Sequence, residues 1–412
     1  LSAPSLDNIR RWDAEDTLGA FRQRFNLPDG VIYLDGNSLG ALPTATKAHL
    51  ADVVEQEWGA GLIRSWNSAD WIDAPQRVGA KIARIVGAGR HEVVVADSTS
   101  VNLFKLLVAA LGERPGRRMI LTEPGNFPTD LYVAQGVAAT LPDVEVRTAP
   151  RDQIAAAIDA DTAVVMLTHV HYKTGERFDM AAITQAAHAK GALILWDLSH
   201  SAGALPVDLN ACDADLAIGC GYKYLNGGPG APAFLFVVER LQNRLTSPLS
   251  GWMGHAAPFA FGDDYAAGEG VKRFLCGTPP ILALAALEVG VDLFLEADPQ
   301  AIAAKSQRLC SLFIDLVEQR CEGLGLTLAT PRDPARRGSH VSFGHPYGYE
   351  VMQALIAKGV IGDFRTPDIL RFGFTPLYTS FDDVWRAAEH LRAILAERTW
   401  DQPQFATRAK VT

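Results

Sequence analysis

The chain has 412 residues, yet no apolar run in it is long enough to span a bilayer. Its opening stretch, Leu1 to Arg11, mixes polar and charged side chains and lacks the apolar segment of a secretory leader. Membrane insertion and secretion are therefore not expected. Cysteine is sparse: Cys212, Cys220, Cys276, Cys310 and Cys321 are odd in number and include no Cys-x-x-Cys pair. That spacing excludes a disulfide framework or a zinc ribbon and points to reduced thiols in a cytoplasmic setting. Positive charge is in deficit, with 38 Lys and Arg against 47 Asp and Glu, and the cations are scattered. No basic face for nucleic acid or anionic lipid is expected. No Walker pattern or Gly-x-Gly-x-x-Gly follows a strand, so a nucleotide is not expected. His169 and His171, two apart on a strand pattern, have no third ligand at metal spacing, and no metal is expected either.

Apolar residues make up 48% of the sequence, enough for a large core and more than one domain. From about residue 45 to 240 helical and strand patterns alternate, which predicts an α/β fold with a mainly parallel sheet covered on both faces. Strands are expected at Val93 to Ala96, Met119 to Thr122, Val144 to Thr148, Ala163 to Thr168, Ala192 to Trp196, Leu216 to Gly219 and Phe234 to Val238. After a stretch rich in Gly, Pro and aromatics, Pro248 to Pro280, helices are expected over Ile281 to Leu295 and Pro299 to Glu322. Short strands such as His340 to Phe343 and Ile369 to Phe374 then mark a smaller C-terminal α+β domain. The expected division is an N-terminal segment over 1–30 packing with the small domain, a large domain over 31–285 and a small domain over 286–412.

One strand, Leu193-Ile194-Leu195-Trp196, ends abruptly in Asp197, and Lys223 follows 26 positions later, beyond the next strand. A carboxylate at a strand's carboxyl end can hold a pyridinium nitrogen protonated, while the lysine can form a Schiff base. Together they suggest a pyridoxal phosphate site. Upstream, Val93 to Ala96 runs into Asp97-Ser98-Thr99-Ser100 and a helical pattern. A helix N-terminus after a hydroxyl-rich turn offers unpaired N–H groups to a phosphate, although such hydroxyls also serve as plain helix caps.

Five runs carry a closer resemblance: Tyr33-Leu34-Asp35-Gly36-Asn37-Ser38-Leu39-Gly40, Asn126-Phe127-Pro128-Thr129-Asp130, Trp196-Asp197-Leu198-Ser199-His200-Ser201-Ala202-Gly203, Tyr222-Lys223-Tyr224-Leu225-Asn226 and Arg371-Phe372-Gly373-Phe374-Thr375-Pro376-Leu377-Tyr378. In order and over nearly the whole chain, they resemble kynureninase, a fold-type I pyridoxal phosphate enzyme related to class V aminotransferases. The resemblance implies a homodimer with its active sites at the subunit interface. The implied reaction is hydrolysis of L-kynurenine to anthranilate and L-alanine, in tryptophan catabolism.

By the same resemblance Lys223 is the Schiff-base lysine and the base for the α-proton, Asp197 the pyridinium partner and His200 its orienter. Phe127 stacks on the ring, with Pro128, Thr129 and Asp130 beside it and Thr168 as a further cofactor contact. Thr99, Ser100 and Tyr222 bind the phosphate, joined by Trp252 and Thr278 of the neighbouring subunit. Arg371 clamps the substrate carboxylate through a bidentate fork, near Asn37 and Ser38, and Trp66 bears on the aryl ring. Tyr222 is expected to move protons between water, carbonyl and product, with Asp130 as an alternative. Two rival readings are a cysteine desulfurase or selenocysteine lyase and a noncatalytic cofactor-binding protein on the same scaffold. A desulfurase needs a loop cysteine, whereas Cys310 and Cys321 lie on a helical pattern.

Overall fold

The computed structural model describes residues 4–409. Helix α1 (Leu6–Ala14) is closed at its start by a Ser5–Asn8 capping box. After it come α2 (Thr44–Asp52) and α3 (Ala74–Ile85). The large body then alternates β1 (Val93–Val95), α4 (Thr99–Glu113), β2 (Met119–Thr122), α5 (Pro128–Thr140), β3 (Glu145–Thr148) and β4 (Thr162–Thr168). It continues with α6 (Met180–Ala189), β5 (Leu193–Asp197), β6 (Leu216–Gly219) and β7 (Phe234–Val237). The seven strands form one sheet in the order β1-β7-β6-β5-β4-β2-β3. It is mainly parallel, and only β7 runs antiparallel to its neighbours β1 and β6.

Both faces of this sheet are covered, which is why its strands read as unbroken apolar runs. Ile194 and Trp196 of β5 point into one core with Val78 and Ile82 of α3, while Leu193 and Leu195 point into another with Leu103 and Leu107 of α4. Side chains alternate between the two, as the two-residue period of a strand requires. Helix α7 (Ile281–Glu296) packs on α3 and α2 and adds Leu284, Leu287 and Val291 to the first core.

Helix α8 (Pro299–Arg320) leads into the second body: β8 (Thr327–Leu328), β9 (His340–Gly344), α9 (Gly348–Ala357), β10 (Asp363–Arg365), β11 (Ile369–Gly373) and α10 (Phe381–Ala396). Its four-stranded sheet has the order β8-β9-β11-β10. Phe313, Phe343, Phe372 and Phe374 centre its core, which also takes Ile9, Ile32 and Leu34 from the N-terminal segment. Ile32–Tyr33 pairs in parallel with Val360–Ile361, so the N-terminal chain enters the site from the second body's side. Among the described residues no helix is long and apolar enough to cross a membrane.

Candidate active site

Thr168 and Asp197 are register partners at the carboxyl ends of β4 and β5, and Lys223 follows the next parallel strand, β6. Strand ends of an open α/β sheet are where its ligands bind, and the topology brings all three there. Asp197 is buried and its Oδ1 accepts from the Ser199 N–H at 2.7 Å, which shapes the turn carrying His200. His200 does not bond Asp197. Its Nε2 lies 3.0 Å from Lys223 Nζ, and its Nδ1 has no partner among the described residues. Burial, then the Lys223 charge, hold the imidazole well below its usual range, so the ring is neutral and accepts at one nitrogen.

Beside Asp197 stands Asp130, from the first turn of α5. Burial, then the neighbouring Asp197 carboxylate, raise its carboxyl well above the ordinary value. Thr168 Oγ1 lies 2.6 Å from Asn126 Oδ1 and 3.1 Å from Asp130 Oδ2. A hydroxyl has one proton. It is donated along the shorter contact to Asn126 Oδ1, with Asp130 Oδ2 as the more distant acceptor. The loop before α5 is held from outside by His171, whose Nε2 meets the Gly125 carbonyl at 3.0 Å.

Phe127, which α5 presents at its N-cap, is 37% exposed, so it is not a core residue. Its ring centroid is 5.7 Å from Lys223 Nζ and 5.2 Å from the Tyr172 ring, edge to face. Tyr222 is half-buried, and burial, then the Cys220 thiol, raise its phenol so that the oxygen keeps its proton. At α4 the cap is Ser98, whose hydroxyl accepts from the Val101 N–H at 3.3 Å. Thr99 and Ser100 are thereby left with hydroxyls that make no hydrogen bond among the described residues, at the positive end of a 15-residue helix.

The second body supplies a cluster of charge. Asp363 and Arg371 face each other in the antiparallel β10–β11 register. Arg371 donates from Nε to Asp363 Oδ1 at 2.8 Å and from Nη2 to Asp363 Oδ2. The bidentate fork expected to grip a substrate is therefore engaged by Asp363, because a buried guanidinium needs a facing carboxylate. Arg371 Nη1 donates to the Tyr172 carbonyl at 2.6 Å and Nη2 to Ser38 Oγ at 2.8 Å. With its amide turned to satisfy both, Asn37 Oδ1 accepts from Arg371 Nε at 3.0 Å and Nη2 at 3.2 Å. Asp35 is pushed up to about 8 by burial, then by Asp363.

Gly40 closes the arrangement. Its N–H donates to the Tyr222 carbonyl at 2.8 Å, and a Cβ at Gly40 would collide with the Lys223 carbonyl. A Cβ at Gly373 would likewise strike Asn37. The segment 36–40 is thus wedged between the Lys223 turn and β11.

These groups fit pyridoxal phosphate: a buried amine, a buried carboxylate one strand away, a half-open aromatic face and two free hydroxyls at a helix N-terminus. Curated relatives decide the family. A kynureninase from Pseudomonas fluorescens is 55% identical over 407 residues, spanning 97% of this chain and 98% of the relative, and one from Burkholderia mallei (strain SAVP1) matches to the same extent. The chain belongs to the kynureninase family. Its cofactor is pyridoxal phosphate. Residues 302–391 match the model "Kynureninase C-terminal domain", and 67–216 match "DegT/DnrJ/EryC1/StrS aminotransferase family". Among solved structures, a cysteine desulfurase from Thermococcus onnurineus NA1 aligns at TM-score 0.78 and 20% identity over 92% of this chain and 98% of that one. The C-DES protein with glycine covalently linked to its PLP cofactor aligns at 0.79 and 17% identity, over 90% and 98%. At that identity these two speak for the fold.

Not every residue that the kynureninase resemblance picks out gathers at Lys223. Trp66 is half-buried and meets Trp71 edge to face at 5.9 Å. Trp252 is 39% exposed, and Thr278 is also exposed. No ring contact or hydrogen bond among the described residues joins these three to the Lys223 cluster of the same chain. Conversely, Asn126, Tyr172, Asp363, Arg365 and His340 take part in the site without having been singled out. Only Asn126 lay inside a motif. His340 is fully buried 5.4 Å from the His200 ring, with neither ring nitrogen bonded among the described residues.

Proposed function

We propose that this chain cleaves the β,γ carbon–carbon bond of L-kynurenine by hydrolysis, releasing anthranilate and L-alanine. The observation that carries the reading is the segment 36–40, which bonds to the Tyr222 carbonyl at Gly40 and accepts from Arg371 Nη2 at Ser38, so that it joins the turn carrying the Lys223 amine to a buried cation for an α-carboxylate. Pyridoxal phosphate supplies the electron sink that makes the α-proton acidic and the β,γ bond breakable. In this reading Lys223 Nζ takes the α-proton, next to a neutral His200 that can accept a hydrogen bond from the amine but adds no rival charge. Asp197 would face the ring nitrogen, and Asp130 at its side is drawn toward its protonated form by burial and by Asp197. Tyr222 begins with its proton on oxygen, so it would serve as the donor toward the substrate β-carbon, which keeps the electron pair of the broken β,γ bond and becomes the alanine methyl, and not as the base for water. Thr99 and Ser100 would hold the phosphate at the start of α4.

The desulfurase alternative is not favoured. Cys310 and Cys321 sit on or at the end of α8, buried, with thiols pushed up to about 12 and about 11, and Cys220 is buried with its thiol also raised. None of these three is an exposed loop thiol.

A homodimer in the cytoplasm is part of the same proposal. Trp252, Phe259 and Phe261 form an exposed aromatic run, and Trp58, Leu62 and Ile63 a second exposed apolar group, surface of the kind that subunit contacts cover. Incubating the cofactor-loaded protein with L-kynurenine and following anthranilate fluorescence tests the activity. Absence of anthranilate at full cofactor occupancy rejects it.

A further inference from the structure

Arg371 is the obvious cation for a substrate carboxylate, but it has little left to give. Its side chain is 2% exposed, and Nε and Nη2 are taken by Asp363, Asn37 and Ser38. Nη1 spends one N–H on the Tyr172 carbonyl. A single N–H remains, which cannot orient a carboxylate bidentately.

Arg365 stands two residues from Asp363 on β10, so both side chains leave the same face of the strand. Its side chain is 32% exposed. Nη2 donates to Asp363 Oδ2 at 2.7 Å and to Ser38 Oγ at 3.3 Å, and Nη1 reaches only the carbonyl of the preceding Phe364, at 3.3 Å. Nε makes no hydrogen bond among the described residues. Arg365 shares Asp363 Oδ2 and Ser38 Oγ with Arg371, so the two guanidinium groups stand side by side. Two guanidinium groups share one carboxylate, Asp363, while Asp35 is pushed up to about 8 and so is mostly neutral near pH 7. The cluster is left with one uncompensated positive charge.

We propose that Arg365 is a second substrate-binding residue that directly receives the α-carboxylate of the amino-acid substrate, with Arg371 supplying one N–H and Asp363 positioning both guanidinium groups. One anion neutralises the excess charge and satisfies the free Nε and Nη1 donors of Arg365 together with the remaining donor of Arg371. The inference rests on the kynurenine-cleavage reading for its substrate but not for its chemistry, since any α-amino acid presents the same carboxylate.

The test compares binding of L-kynurenine with binding of kynuramine, the same amine without its carboxylate, and of L-alanine with ethylamine. Each is read from the change in absorbance of the bound cofactor in the cofactor-loaded enzyme. Arg365→Gln is expected to weaken L-kynurenine and L-alanine about 10- to 100-fold, the range for losing a charge-assisted hydrogen bond, and to leave both carboxylate-free amines unchanged. Equal loss for amine and amino acid, or no loss for either, overturns the proposal. Should Arg365→Gln fail to hold cofactor, Arg365→Lys takes its place: it keeps the charge but not the planar donors, and an unchanged ratio of amino-acid to amine affinity then overturns the proposal. If wild type binds L-alanine in an Arg365-dependent way yet releases no anthranilate from kynurenine, the activity reading fails and the Arg365 assignment stands.

Discussion

His200 Nε2 meets Lys223 Nζ at 3.0 Å inside a site where both side chains are buried, so the amine on which the chemistry turns rests against a neutral imidazole. An acceptor at this distance fixes where Nζ points without pairing its charge.

Lys223→Ala should abolish the visible absorbance of lysine-bound cofactor and stop anthranilate release, with thermal unfolding close to wild type once cofactor binding is accounted for. Anthranilate formation near the wild-type rate would remove Lys223 from the chemistry.

Replacing Asp197 and Asp130 should have unequal effects. Asp197→Asn removes the carboxylate beside the ring nitrogen and should slow exchange of the substrate α-proton by orders of magnitude. Asp130→Asn puts a neutral amide in place of a carboxyl that burial and Asp197 already push toward its protonated form, so exchange should fall far less. Proton exchange measured by NMR in deuterated solvent separates the two, and equal losses would show that Asp130 carries charge in the working enzyme.

Asp363→Ala should destabilise the protein more than it would if Asp363 were an exposed partner. Removing one member of a buried ion pair costs about 3–5 kcal/mol because the other is left uncompensated, and here two guanidinium groups lose their carboxylate. Denaturant unfolding reads this directly, and a loss below about 1 kcal/mol, the worth of a surface pair, would contradict the arrangement.

Arg371→Lys should not be conservative. A lysine can replace the charge but not the simultaneous contacts to Asp363, Ser38 and the Tyr172 carbonyl. KM for kynurenine should rise and kcat fall, while absorbance of the bound cofactor without substrate stays the same. Loss of cofactor with unchanged KM would move Arg371 out of the substrate region.

Asp35 predicts a pH effect on stability. Its folded carboxyl is raised to about 8 from an ordinary value near 3.8, so the folded state binds this proton more tightly than the unfolded one. Its contribution is fully present below the unfolded value and is lost as pH rises toward about 8. Asp35→Asn should therefore flatten the fall in melting temperature between about pH 4 and pH 8, the window set by the two values. A variant whose stability declines over that range as steeply as wild type would remove Asp35 as the cause.

Much of the large body is legible in the sequence because both faces of its sheet are buried, which leaves contiguous apolar runs with chemistry at their ends. Asp197 and Lys223 stand out for that reason. Asp363 and Arg365 do not, since they sit on a three-residue strand whose alternation is too short to read, and Ser38, which bonds Asp363, and Tyr172, whose carbonyl accepts from Arg371, arrive from distant chain segments. The caps show the same limit: Ser98, Thr99 and Ser100 are equivalent as letters, and only the backbone geometry of α4 makes the first the cap and frees the other two. Where the chain passes from one core to the other is equally hidden, because α7 and α8 are separated by only two residues.

The wedge formed by residues 36–40 has a consequence for reach. It bonds to the Tyr222 carbonyl at Gly40 and lies against Gly373 at Asn37, so one short length of backbone fixes the gap between the Lys223 amine and the guanidinium pair. It behaves as a gauge block: a ligand must present its amine and its acid at the separation this spacer dictates. A β-amino acid, one carbon longer between the two groups, arrives off the mark at one end, whatever aryl group it carries at the other.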